Sequence, residues 1–107
     1  MSKAIRSLVV LAAAVSLAGA VGFAQSSGEA IYKAKCLSCH GPTGQADSGV
    51  GKAMKVKPIN EPSVRKQTEA EMIEATAKGA GKMQPYKGKL TDEEIKASVD
   101  YFRTFLK

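Results

Sequence analysis

The chain has only one histidine and two cysteines in 107 residues. Two cysteines close at most one disulfide. At positions 36 and 39 that bridge would enclose a tiny loop and restrict the unfolded chain very little. A cofactor is therefore favoured over a disulfide as the support of so small a domain. Strand-like alternation of apolar and polar residues is missing, so no sheet is expected. No internal repeat and no low-complexity segment stand out. No basic run carries interleaved aromatics, which argues against nucleic acid. The one long apolar run, Leu8 to Ala20, is too short for a comfortable membrane span.

That run belongs to a recognisable amino-terminal pattern. Lys3 and Arg6 precede it, and small residues follow it to Gly22-Phe23-Ala24. Positive start, apolar stretch and small-residue end make a secretory signal peptide. Residues 1–24 are expected to be removed after Ala24, with Ala20 as the alternative cleavage site. The mature domain is then 25–107, located in the periplasm or otherwise exported, with no membrane span. It keeps 14 Lys+Arg against 10 Asp+Glu, a mildly basic balance that suggests acidic partner surfaces. A domain this small buries a modest core and needs a staple.

Three segments open with the Ser/Thr-x-x-Glu signature of a capped helix start. Ser26 pairs with Glu29, Thr68 with Glu71 and Thr91 with Glu94. The expected helices run from about Ser27 to Cys39, Glu69 to Lys78 (stopped by Gly79) and Asp92 to Leu106. Ile95, Val99, Phe102 and Leu106 recur at helical spacing and form one apolar stripe on the third. Gly28 is costly inside a helix unless another backbone comes close. A close crossing with the third helix near Ser98 and Tyr101 is expected. Between His40 and Thr68 four glycines and three prolines mark an irregular stretch, with a short helix expected at Pro62 to Gln67. So long a loop in so small a domain needs a function.

Cys36-Leu37-Ser38-Cys39-His40 gathers both cysteines and the histidine. Cys-x-x-Cys-His is the attachment pattern of c-type haem. Residues three and four apart on a helical turn share a face, so both thiols and the imidazole can address one flat macrocycle. Cys36 and Cys39 are expected to form the covalent links to one haem c, and His40 to ligate its iron. A second imidazole is impossible in this chain. The sixth ligand is a thioether, a lysine amine or nothing. Met72 sits inside a helix and is read as core packing. Met54 lies in the loop. Met83 lies in the turn Gly79-Ala80-Gly81-Lys82-Met83-Gln84-Pro85, a strap of glycines closed by a proline. Met83 is the expected ligand and Met54 the alternative. A thioether favours ferrous iron and raises the reduction potential. It also fills the last position, which suits electron carriage better than catalysis.

On these residues the chain resembles a small bacterial class I cytochrome c over nearly all of 25–107. Gly28-x-x-x-Tyr32-x-x-x-Cys36 leads into Cys36-x-x-Cys39-His40-Gly41 as that family's first helix does. Gly81-Lys82-Met83, followed by Tyr86-Lys87-Gly88-Lys89-Leu90-Thr91-Asp92-Glu93-Glu94-Ile95, is similar to its methionine loop and final helix. Tyr101-Phe102-Arg103 falls where the family has the aromatic that packs on the first helix. The resemblance implies an all-α fold, three main helices and long loops wrapped around one covalent haem, with His40 and Met83 as axial ligands. It implies a monomeric periplasmic one-electron carrier, not an enzyme, serving redox protein partners. Two departures stand out. Gln84 intervenes between Met83 and Pro85, where the family usually has proline directly after methionine. No proline carbonyl is well placed to accept the second ring N–H of His40, since Pro42 is close and Pro58 distant.

Lys52, Lys55, Lys57, Lys78, Lys82, Lys87 and Lys89 flank these segments and are expected to ring the haem edge and steer acidic partners. Three rival readings exist. A haem protein with a labile sixth site would be a gas sensor or weak peroxidase. A thiol–disulfide oxidoreductase would need a βαβ context and leave Met83 without a role. A zinc site would lack a fourth ligand.

Overall fold

The computed structural model describes residues 27–107. The signal-peptide segment and Ser26 lie outside the described residues. Six helices follow in chain order: α1 Gly28–Lys35, α2 Leu37–His40, α3 Gly49–Ala53, α4 Pro62–Arg65, α5 Glu69–Lys78 and α6 Asp92–Arg103. Among the described residues there is no strand, only isolated bridges at Ala80–Met83 and Lys87–Leu90. The fold is all-α. No described helix is long and apolar enough to cross a membrane.

The two longest helices start where their caps place them. Thr68 accepts from the Glu71 N–H at 3.1 Å while Glu71 accepts from the Thr68 N–H at 3.0 Å. Thr91 and Glu94 repeat the arrangement with the same distances. Each box satisfies two donors that a helix start would otherwise leave unpaired. Acidic residues also fill both first turns, where the helix dipole favours negative charge. The cap of α1 departs from expectation. Ser27, not Ser26, accepts from the Ala30 N–H at 3.1 Å. Glu29 is then free to pair with Lys33 one turn on, at 2.7 Å.

Helix α5 ends at Gly79, whose φ of 80° is left-handed backbone that favours glycine. Helix α6 stops at Arg103 rather than Leu106. The last residues tighten into three-residue steps, with Thr104, Phe105 and Leu106 N–H groups bonding to Tyr101, Phe102 and Arg103 carbonyls.

Helix α6 is the centre of the fold, packed on one side by α1 and on another by α5. Its Ile95 and Val99 are buried with Met72 of α5 and with Tyr86, as the apolar stripe predicts. Burying each such aliphatic side chain contributes about 1.5–3 kcal/mol. Met72 takes the core role expected of it, and its sulfur also accepts from Arg103 Nη1 at 3.6 Å. The same guanidinium nitrogen donates to the Gln67 carbonyl at 3.0 Å, tying the end of α6 to the entry of α5. Gly28 lies against α6 as expected: a Cβ there would fall 2.6 Å from the Ala97 carbonyl carbon and 3.3 Å from Ser98 N.

The stretch after His40 is more ordered than its composition suggests. It holds α3, where the glycine content predicts only irregular chain. It also has a small core of its own, since Ile59 is fully buried and its N–H donates to the Gly44 carbonyl at 2.8 Å. Gly44 packs where a Cβ would lie 3.0 Å from Ile59 Cγ2 and 3.1 Å from both Phe102 and Phe105.

Candidate haem site

The Cys-x-x-Cys-His segment is a separate helical turn rather than the end of one long helix. Helix α1 breaks at Cys36, whose φ of −114° and ψ of −30° depart from helix geometry. Helix α2 then restarts at Leu37. The Cys36 carbonyl accepts from both the Cys39 N–H (3.3 Å) and the His40 N–H (2.9 Å). The two thiols and the imidazole are thereby carried on one turn. Cys36 and Cys39 are free, half-buried thiols. Burial pushes the Cys36 thiol up to about 11, and the neighbouring Cys39 adds to the rise. A thiol-exchange enzyme needs the opposite shift.

Burial also lowers the pKa of His40, which favours the neutral imidazole that a metal requires. Its Nδ1 is buried and has no hydrogen-bond partner among the described residues. The carbonyl acceptor expected from the fold family is not supplied by Pro42 or Pro58. Along this segment the Cys36 carbonyl serves the helical turn, the His40 carbonyl accepts from Ala46 N at 2.9 Å, and the Gly41 carbonyl accepts from the Tyr32 hydroxyl. The Phe102 ring stands edge-on to the imidazole at 5.0 Å between centroids.

Three contacts hold this turn. Tyr32 is almost wholly buried, and desolvation raises its phenol pKa, so the hydroxyl stays a donor to Gly41. Its ring meets Tyr101 at 5.3 Å, Phe102 at 5.9 Å and Phe105 at 5.6 Å. The aromatic packing expected between the first and last helices is present. Helix α3 sits on the other side. Ser48 donates its hydroxyl to the Ser38 carbonyl at 2.7 Å. A Cβ on Gly51 would overlap the Cys39 carbonyl oxygen and lie 2.8 Å from Ala46 O, so only glycine fits there.

The methionine strap is built with equal care. Ala80 and Met83 exchange two backbone hydrogen bonds, at 3.1 and 2.9 Å, closing a tight turn. Tyr86 and Lys87 N–H groups then donate to the Thr76 and Ala77 carbonyls, both at 3.0 Å, folding the strap back on α5. Met83 is half-buried against the Met72, Tyr86, Ile95 and Val99 core. Met54 caps α3 and is half-buried outside that core. Tyr86 is a site residue that the sequence reading missed. Its hydroxyl donates to the Lys35 carbonyl at 3.1 Å, directly before Cys36. The structure thus joins the strap carrying Met83 to the helix leading into the cysteines, across 51 residues.

All seven flanking lysines are exposed. Lys78 is paired with Glu74 at 2.8 Å and Lys89 donates to Gln84 at 2.7 Å. Lys52, Lys55, Lys82 and Lys87 make no ion pair among the described residues. Among the described residues no group of three or more His, Cys, Asp or Glu side chains is arranged to hold a metal ion.

A helical fold whose first helix runs into a Cys-x-x-Cys-His turn, with two adjacent free thiols and a neutral, buried imidazole, defines a c-type cytochrome domain. Residues 23–102 match the model of the family described as cytochrome c oxidase, cbb3-type, subunit III, and the chain belongs to that family of c-type cytochrome domains. No curated protein matches it. Among solved structures it is similar to the KustC0563 c-type cytochrome. The identity is 31%, the TM-score 0.69, and the likeness covers 77% of this chain and all of the other. Membership implies covalently bound haem c and electron transfer as the working chemistry.

Proposed function

We propose that this chain is an exported, monomeric one-electron carrier holding one haem c through Cys36 and Cys39, with His40 and Met83 as the two axial ligands. The observation that carries this reading is the meeting of two distant segments. The Tyr86 hydroxyl on the Lys35 carbonyl brings the Met83 strap to the helix end where the cysteines begin. Met54, which caps α3, lies outside the core that Met83 packs against.

Each residue has a defined task. Cys36 and Cys39, both free thiols, would hold the haem covalently, each through a thioether to one of its vinyl groups. His40 offers a neutral ring nitrogen, kept so by burial. Met83 offers a soft thioether, which favours the ferrous state and raises the potential. When bound, the haem supplies an iron that alternates between ferric and ferrous. With His40 and Met83 both offered to the iron, the site would favour electron carriage over binding of dioxygen or peroxide, which separates a carrier from a sensor or peroxidase. The signal-like segment 1–24 supports a periplasmic location. The exposed lysines support redox protein partners with acidic surfaces, and nothing in the charge pattern supports nucleic acid.

An optical spectrum tests the assignment. Haem bands that survive denaturation and solvent extraction are expected from covalent attachment. The weak far-red band of ferric thioether-ligated haem is expected in the wild type and absent in Met83→Ala. Persistence of that band in Met83→Ala would show that another residue is the ligand.

A further inference from the structure

The kink at Cys36 leaves the carbonyl of Lys35 without its helical partner. In an unbroken helix the Cys39 N–H would reach back four residues to it. Here that N–H bonds to the Cys36 carbonyl instead, at 3.3 Å. The donor that replaces it is the Tyr86 hydroxyl, at 3.1 Å. Tyr86 is itself only 8% exposed, with its ring in the core beside Met72, Ile95 and Val99. Its own N–H is bonded to the Thr76 carbonyl of α5. The side chain is therefore fixed at its backbone, its ring and its oxygen.

Gln84 completes the arrangement. Its Nε2 donates to the Tyr86 hydroxyl oxygen at 3.3 Å, and its Oε1 accepts from Lys89 Nζ at 2.7 Å. A hydroxyl that already accepts from an amide is left to donate, and the Lys35 carbonyl lies where it donates. The residue between Met83 and Pro85 that breaks the expected methionine–proline pattern thus orients the tyrosine.

We propose that Tyr86, oriented by Gln84, is a positioning residue that locks the Met83 strap to the end of α1. Its spectroscopic arm rests on the ligand assignment made above, whereas its exchange arm does not. The lock couples two parts of the site that no backbone hydrogen bond joins directly.

The test uses the holoprotein and two variants, Tyr86→Phe and Gln84→Ala. Tyr86→Phe removes one oxygen and leaves the ring in the core. Gln84 is exposed, so its replacement does not threaten folding. Amide hydrogen exchange is expected to quicken about tenfold at Ala80, Met83 and Cys39 in Tyr86→Phe, the size of one lost hydrogen bond that is partly buried. Gln84→Ala should move the same amides in the same direction by less, with Ile95 and Val99 unchanged in both. The far-red band of Tyr86→Phe should disappear at a lower denaturant concentration than its helical circular dichroism. Unchanged exchange at Ala80 and Met83, or equal quickening at Ile95 and Val99, would overturn the proposal. A far-red band that survives in Met83→Ala would overturn only the ligand assignment, because the exchange result does not depend on what binds the iron.

Discussion

Gly28 and Ala97 meet backbone to backbone: a Cβ on the glycine would fall 2.6 Å from the alanine's carbonyl carbon. Helices α1 and α6 can approach this closely only because Gly28 has no side chain. The obstacle is main chain, which cannot swing aside as a flexible side chain would. Gly28→Ala is expected to force the helices apart and to destabilise the domain by about 1–3 kcal/mol, the usual cost of overpacking. Its higher helix propensity does not offset that. Denaturant unfolding of the two proteins measures the difference. An equal or higher midpoint for the variant would refute the tight crossing.

The capping boxes make a separate prediction. Thr91 and Thr68 each accept from the third residue of a helix at 3.1 Å. Thr91→Ala and Thr68→Ala should each cost about 1 kcal/mol. The two sites lie on different helices and share no partner, so the double variant should lose the sum of the two. Clear departure from additivity in chemical denaturation would mean that the boxes are coupled through the core.

Asp100 gives the pH dependence. Hydrogen bonding to Lys96, with Glu69 close by, holds its carboxyl below the usual range. A depressed folded pKa contributes stability that is fully present above the unfolded value of about 3.9 and lost as pH falls through the folded one. Asp100→Asn should therefore narrow towards wild-type stability on acidification from about pH 5 downward. The gap should be small at neutral pH, because both side chains are more than a third exposed, and it should shrink further in salt. A gap that widens in acid would reverse the assigned sign.

Steering by surface charge can be read from rates. Lys52, Lys55, Lys82 and Lys87 are exposed and make no ion pair among the described residues. Electron transfer with an acidic redox partner should slow as ionic strength rises. Lys82→Glu and Lys87→Glu should slow it at low salt and flatten the dependence. Stopped-flow rates across a salt series decide. A flat profile in the wild type would remove any role for these charges.

Much of this molecule was legible in its sequence because the signals were local. Two threonine–glutamate boxes placed the starts of α5 and α6 correctly, and Gly79 placed the end of α5. The haem motif is five consecutive residues, so no folding had to be foreseen to find it. What escaped was short or long-range. Helix α3 has five residues, two of them glycine, which is too few for a periodic pattern. Ser26 has the glutamate three residues on that Ser27 lacks, yet the backbone makes Ser27 the cap. The break at Cys36 leaves no compositional trace. Tyr86 looked like one residue of a matching stretch, because its hydroxyl acts 51 residues away in sequence. The acceptor for the second ring nitrogen of His40 is a family expectation with no local sequence signal, and Nδ1 has no partner among the described residues.

The pairing of α1 with α6 has a consequence for how the chain comes into being. Helix α1 packs mainly on α6, the last helix, so the connection between them must close across most of the described chain. A chain released before Ile95 would carry the whole attachment motif and still leave Gly28 without the Ala97 backbone and Tyr32 without the rings of Tyr101, Phe102 and Phe105. The twelve residues of α6 thus act as a clasp, and the domain becomes a folded object only as they are completed.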